Sequence, residues 1–170
     1  MPTRGTRHWE VGALGNALSA VREKFQPECG AISQVAMSAV DDWGDEVKEQ
    51  DVPVLVLIEG LTMYLSETDV RRIFGVISNR FEKATVFVEV MNPMVVSLFK
   101  EKSIEGSNAK FTWGVKGGPA LVALLPGFRF VEERSLTGRM AAFMSIYKVL
   151  GKLPVVRNIS NKIVVLNKGI

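Results

Sequence analysis

Two dense apolar runs frame this chain: "VPVLVLI" at 52–58 and "ATVFVEVM" at 84–91. Each is too short for a core helix and too continuous for a strand with one wet face, so both read as strands buried on both faces. Between them lies an amphipathic helix. Ser66 is a good N-cap, and Asp69 three residues on completes a capping-box-like pair. Val70, Ile73, Phe74, Ile77 and Phe81 form one apolar stripe, with Arg72, Asn79 and Arg80 outside it. Strands alternating with such helices predict an open α/β sheet with parallel central strands.

The rest of the chain extends this pattern. Residues 1–12 show no period, and 13–25 space Leu14, Leu18, Val21 and Phe25 as a helix does. Residues 31–37 read as a short strand, and 38–51 as an acidic connection with room for one helical turn. Asn92-Pro93 is a helix start, with Pro93 at the first helical position. Residues 106–118 are loop-rich, 128–136 and 161–167 are late strand candidates, and 139–151 between them has helical character. No internal repeat is visible.

Composition narrows the function classes. The chain has 170 residues, enough for one domain with a core. Its formal charge is +3, and the basic residues are dispersed apart from Arg71-Arg72, so no nucleic-acid stripe is expected. One cysteine and one histidine leave no disulfide framework, no thiolate zinc site and no histidine metal cluster to expect. No apolar run approaches the roughly 20 residues of a membrane span. The N-terminus makes a poor signal peptide. The expectation is a cytoplasmic protein with no membrane, metal or nucleic-acid partner.

Glu59 and Gly60 follow the 52–58 strand directly. Ligands of open α/β sheets bind outside the C-terminal ends of the strands. Glu59 is therefore a candidate ligand-facing acid, and Gly60 lets the backbone turn closely there. The plainer alternative, the first solvated residue of a loop, stands beside it.

"PVLVLIEGLTMYLSETDVRRIF" resembles the segment around the Glu-Gly-Leu-x-Met-Tyr-Leu motif of the leucine carboxyl methyltransferase family, which includes tetracenomycin-type polyketide O-methyltransferases. "SAVDDWGDEV", "FTWGVKGGPAL", "PGFRFVEE" and "RNISNKIVVLN" extend the resemblance over most of residues 30–170. It implies a Rossmann-like class I methyltransferase sheet whose last strand runs antiparallel beside parallel neighbours, with S-adenosylmethionine as cofactor. It also implies a cofactor-facing role for Glu59, with Gly60 beside it and Ser38-Ala39 near the adenine. Ser38-Ala39 brings no carboxylate to that position, so backbone contact or packing is its implied contribution. Tyr64 matches the motif tyrosine and reads more readily as a packing residue than as a contact to the methyl acceptor. Trp113 and Gly114 match a loop on the substrate side, where a structural role is equally open. Arg139 resembles a position near the same region.

The resemblance also carries a departure. The family's sheet opens with a strand and glycine-rich turn, and its next strand ends in a ribose-binding acid. Neither is found here, because Gly12-Ala-Leu-Gly15 falls in the segment matching a later helix and no strand is read before it. The expected fold is a single partial domain over 1–170 that lacks the first two strands, with its main core in 46–170. That leaves the edge of strand 52–58 open, inviting self-association. Either residues 31–37 cover this edge or the first 45 residues are poorly fixed.

The implied reaction is methyl transfer to an oxygen of a small molecule, polyketide-like or a carboxylate. Its catalysis is mostly positioning. A hydroxyl acceptor calls for a general base and a carboxylate acceptor does not, and no residue here is assigned as base. Without the glycine-rich turn, weak or absent cofactor binding is expected. A non-catalytic remnant or interaction protein is the alternative reading.

Overall fold

The computed structural model describes residues 8–11, 32–35, 37–48, 52–99, 110–137 and 160–169. Its centre is a four-stranded sheet of β3 (Val54–Ile58), β4 (Ala84–Val90), β5 (Arg129–Ser135) and β6 (Lys162–Lys168), in the order β3-β4-β6-β5. β3 and β4 pair in parallel, and β6 runs antiparallel to both β4 and β5. The four strands expected from the sequence are therefore those that form, with the last one inserted antiparallel.

Helix α1 (Glu67–Arg80) makes the crossover from β3 to β4. The Ser66 side chain accepts from the Asp69 N–H and the Asp69 carboxylate accepts from the Ser66 N–H, a complete capping box. Val70, Ile73, Phe74, Val76 and Ile77 are buried against the sheet. There they meet Ala84, Val86, Val88 and Val90 of β4 and Val164 and Leu166 of β6 in one core cluster. Lys168 of β6 donates to the carbonyls of Ser78 and Phe81, closing the far end of α1. Helix α2 (Pro93–Phe99) follows β4, with the Asn92 side-chain oxygen accepting from the Met94 N–H at 2.9 Å.

Several expectations are corrected. Strand 52–58 is not covered on both faces. Ile58 is buried and Val54 and Val56 are half-buried, but Leu55 and Leu57 are exposed at 62% and 70%. β3 is the last strand at that side of the described sheet, so its second face lacks the cover that its apolar run implies. Residues 32–35 do form a strand, β2 (Ile32–Val35), but it does not cover the edge of β3. It pairs in parallel with β1 (His8–Val11) in a separate two-stranded sheet, while Val35 joins the main core. A strand therefore precedes Gly12 after all; four residues are too few for a period to show. Helix α3 (Gly118–Val122) forms at the end of the loop-rich stretch, and its five residues are likewise too few for a period to show. Arg80 lies outside the apolar stripe, as expected, and is only partly exposed. Its guanidinium is mostly buried and donates to the Val47 carbonyl, holding the 3-10 turn Trp43–Glu46 against α1. The expected helices at 13–25 and 139–151 lie outside the described residues. Among the described residues no helix is long and apolar enough to cross a membrane.

Candidate functional site

β3 and β4 point their C-terminal ends the same way, and a turn built from both closes that end of the sheet. Glu59 and Gly60 leave β3 exposed to solvent. Gly60 has φ +62°, a left-handed conformation that glycine adopts without strain. No atom lies within 4 Å of where a Cβ would stand on it, so a ligand can approach this backbone closely.

The organiser of this turn is Glu89, a residue the sequence reading passed over. One carboxylate oxygen accepts the Gly60 N–H at 3.0 Å and the other accepts Asn161 Nδ2 at 2.7 Å. The Glu89 carbonyl accepts the Thr62 hydroxyl at 2.6 Å. One residue of β4 thus ties the exit of β3 to the entry of β6. The available signal was an acid one residue from the end of an otherwise apolar strand. Such an acid needs partners or water where a valine needs neither.

Tyr64 sits in the short 3-10 turn Thr62–Tyr64 and stacks on Phe111, with ring centroids 5.3 Å apart. It packs on a small second cluster of Met63, Met91 and Val96. Partial burial, and then the nearby Glu89 charge, push its phenol pKa up, so it stays a neutral hydroxyl at physiological pH. Tyr64 is thus a partly buried packing residue of this turn.

Residues 110–115 run across the same turn. The Thr112 N–H donates to the Met63 carbonyl at 2.8 Å and its hydroxyl to the Leu65 carbonyl at 2.8 Å. The Val115 N–H donates to the Met91 carbonyl at 2.8 Å. Trp113 packs half-buried on the main core. Gly114 lies so close to Met91 that a Cβ would stand 2.6 Å from its carbonyl oxygen. Both residues therefore have structural reasons to be what they are.

Ser38 and Ala39 form a turn of their own. Ala39 is buried in the main core and its carbonyl accepts Trp43 Nε1 at 3.0 Å. The Ser38 N–H donates to the Asp41 carboxylate at 3.1 Å, and the Asp41 N–H returns to the Ser38 carbonyl at 3.0 Å. A carboxylate thus lies beside residues 38–39 although neither carries one. Among the described residues no hydrogen bond or ion pair links this turn to Glu59. Arg139 lies outside the described residues. A depression of about 270 Å³ lined by Arg129, Phe130, Val131 and Asn167 opens at the opposite end of the sheet, away from Glu59.

An exposed carboxylate beside an open glycine turn is the chemistry that a ligand carrying hydroxyl or ammonium donors would need.

No family model matches the chain. It is 28% identical over 118 residues to the tetracenomycin polyketide synthesis O-methyltransferase TcmP of Streptomyces glaucescens, a match covering 68% of this chain and 43% of that protein. The chain thus matches less than half the length of this curated relative. Among solved structures it resembles a SAM-dependent methyltransferase from Anabaena variabilis with TM-score 0.57 at 8% identity, over 95% of this chain and 68% of that one. It also resembles the [4+2]-cyclase SpnF with TM-score 0.51 at 10% identity, over 97% and 68%. At these identities the structural likeness speaks for the fold, and the cyclase shows that the fold serves more than one chemistry. The β3-β4-β6-β5 order with its antiparallel inserted strand and the sequence kinship to a tetracenomycin-type O-methyltransferase together identify the chain's fold as the Rossmann-like class I methyltransferase fold.

Proposed function

We propose that this chain carries the strand-end half of an S-adenosylmethionine-dependent O-methyltransferase site whose acceptor is an oxygen of a small molecule. The carrying observation is the exposed Glu59-Gly60 turn at the C-terminal end of β3, held by Glu89. Glu59 offers acceptors to the cofactor's polar groups, Gly60 leaves the approach open, and the 38–41 turn contributes packing and the Asp41 carboxylate. The chain's own contribution to reaction is to bind, orient and exclude water, since methyl transfer depends on in-line geometry. The kinship to a polyketide O-methyltransferase favours a small-molecule oxygen over a protein acceptor.

This half-site binds the cofactor weakly by itself. The described residues supply no glycine-rich turn for the cofactor, and two or three polar contacts fewer cost roughly 3–4 kcal/mol, a few hundred-fold in affinity. Titration calorimetry of the 170-residue chain with S-adenosylmethionine is expected to show no binding in the micromolar range. One-site micromolar binding would contradict the half-site argument. Amide NMR at high cofactor concentration tests the location. Shifts should centre on Glu59 and Gly60 and be lost in Glu59→Gln, whereas shifts confined to other regions would remove Glu59 from the site.

A further inference from the structure

β3 closes one side of the described sheet with an edge that no described strand pairs. The Val54 N–H points toward β4, where it donates to the Lys83 carbonyl at 3.0 Å. Along a strand the backbone groups of successive residues alternate in direction. The N–H and C=O of Leu55 and Leu57 therefore point outward from the sheet. Their side chains share one face and are largely exposed. Natural edges are blunted by charge, proline or a bulge. Val54–Ile58 has no charge and no proline, its register with β4 is unbroken, and Pro53 stands just before it.

We propose that this edge pairs with the same edge of a second copy of this chain, antiparallel about Val56, joining two four-stranded sheets into one of eight strands. In that register Leu55 faces Leu57 of the second copy and Leu57 faces Leu55. These are hydrogen-bonded pairs, so each leucine gives its outward N–H and accepts one in return. The four leucines form one continuous patch on one face. Glu59 then lies opposite Pro53, whose carbonyl accepts and whose missing N–H is not required. Shifting the register one pair toward the N-terminus sets Leu57 against Pro53, which has no N–H to give. Shifting it the other way sets Leu55 against the charged Glu59.

Charge favours the same arrangement. Parallel in-register pairing would set Glu59 beside its own copy. The antiparallel register separates the two acids and brings each near Lys83 of the other chain. Lys83 precedes Ala84 at the β4 position beside Pro53, on the face shared by Glu59 and the leucines. Two strand spacings, about 10 Å, separate the backbones of Glu59 and Lys83, within the joint reach of two long side chains. Both residues are exposed and neither has an ion pair among the described residues. The pairing is isologous and closes at two chains. A single strand seam is small beside the roughly 1,200 Å² of a standard stable interface, so the dimer is concentration-dependent.

Sedimentation of the 170-residue chain over a concentration series tests this. A monomer–dimer equilibrium that stops at two chains is expected. Leu57→Lys should weaken it about tenfold or more, because two cross-strand leucine pairs are lost at once. Lys83→Glu alone should also weaken it, and Lys83→Glu combined with Glu59→Lys should restore it. Circular dichroism checks that each variant keeps its fold, and the charge swap provides the readout if Leu57→Lys does not. A monomer at every concentration would overturn the proposal and show the edge covered by other residues of the same chain. Assembly beyond two chains, a dimer indifferent to Leu57→Lys in its folded form, or no recovery in the double swap would overturn it equally.

Discussion

Gly114 stands where a methyl group cannot go. A Cβ there would meet the Met91 carbonyl oxygen at 2.6 Å and Val96 Cγ2 at 2.8 Å. The first of these is backbone and cannot rotate away. Gly114→Ala is therefore expected to destabilise the chain by about 1–3 kcal/mol, as overpacking does. Gly75 is the contrast, since nothing lies within 4 Å of its would-be Cβ and it sits inside α1. Gly75→Ala should stabilise by up to about 1 kcal/mol through helix propensity. Urea denaturation of the two variants gives opposite signs if this packing is right. Equal effects would mean that residues 110–115 do not lie against Met91. Glu89 makes the complementary point, because its importance comes from three partners drawn from two separate stretches of chain.

Elements are joined here by single side chains that bridge them. Glu133 of β5 accepts the Gly118 N–H at 2.7 Å, at the start of α3, and Lys162 Nζ of β6 at 2.6 Å. Burial alone would raise its pKa, but the Lys162 hydrogen bond, the Gly118 N–H and the Lys162 charge outweigh burial and hold it below the ordinary 4.5. A carboxyl lowered in the folded state contributes stability that is complete above its unfolded pKa. That contribution is lost as pH falls through the folded value. Glu133→Gln should thus cost about 1–2 kcal/mol at neutral pH, the scale of a charged hydrogen bond that is partly solvated. The cost should shrink as pH falls below about 4.5. Denaturation at neutral and acid pH measures it, and a cost that stays constant across this range would mean that the Lys162 pair contributes nothing.

At the scale of the whole molecule, protection is unequal across the sheet. β4 has β3 on one side and β6 on the other, and β6 lies between β4 and β5, so their amides have a strand wherever they point. The amides of Leu55 and Leu57 face the open edge. Hydrogen exchange in dilute solution should be slowest at Val86, Val88, Val164 and Leu166 and fast at Leu55 and Leu57, even though all six are apolar strand residues. Slow exchange at Leu55 and Leu57 in the dilute chain would place another segment on that edge.

How much of this was legible in the sequence follows from the range of the forces involved. The capping box of Ser66 and Asp69, the stripe from Val70 to Ile77 and the dense runs of β3 and β4 are local patterns, and they foretell α1 and its two strands. The inserted antiparallel strand and the motif around Glu59 came through resemblance, because the apolar run of 161–167 does not reveal its direction. Glu89 joining Gly60 to Asn161 and the strap of residues 110–115 over Met63 depend on where distant segments meet. The exposure of Leu55 and Leu57 belongs with these. Sequence alone determined that these residues seek burial on both faces, because apolar side chains leave water wherever they can. The tertiary structure decided that one face and one edge of β3 stay open, because cover comes from other strands and helices and none of the described ones reaches that side.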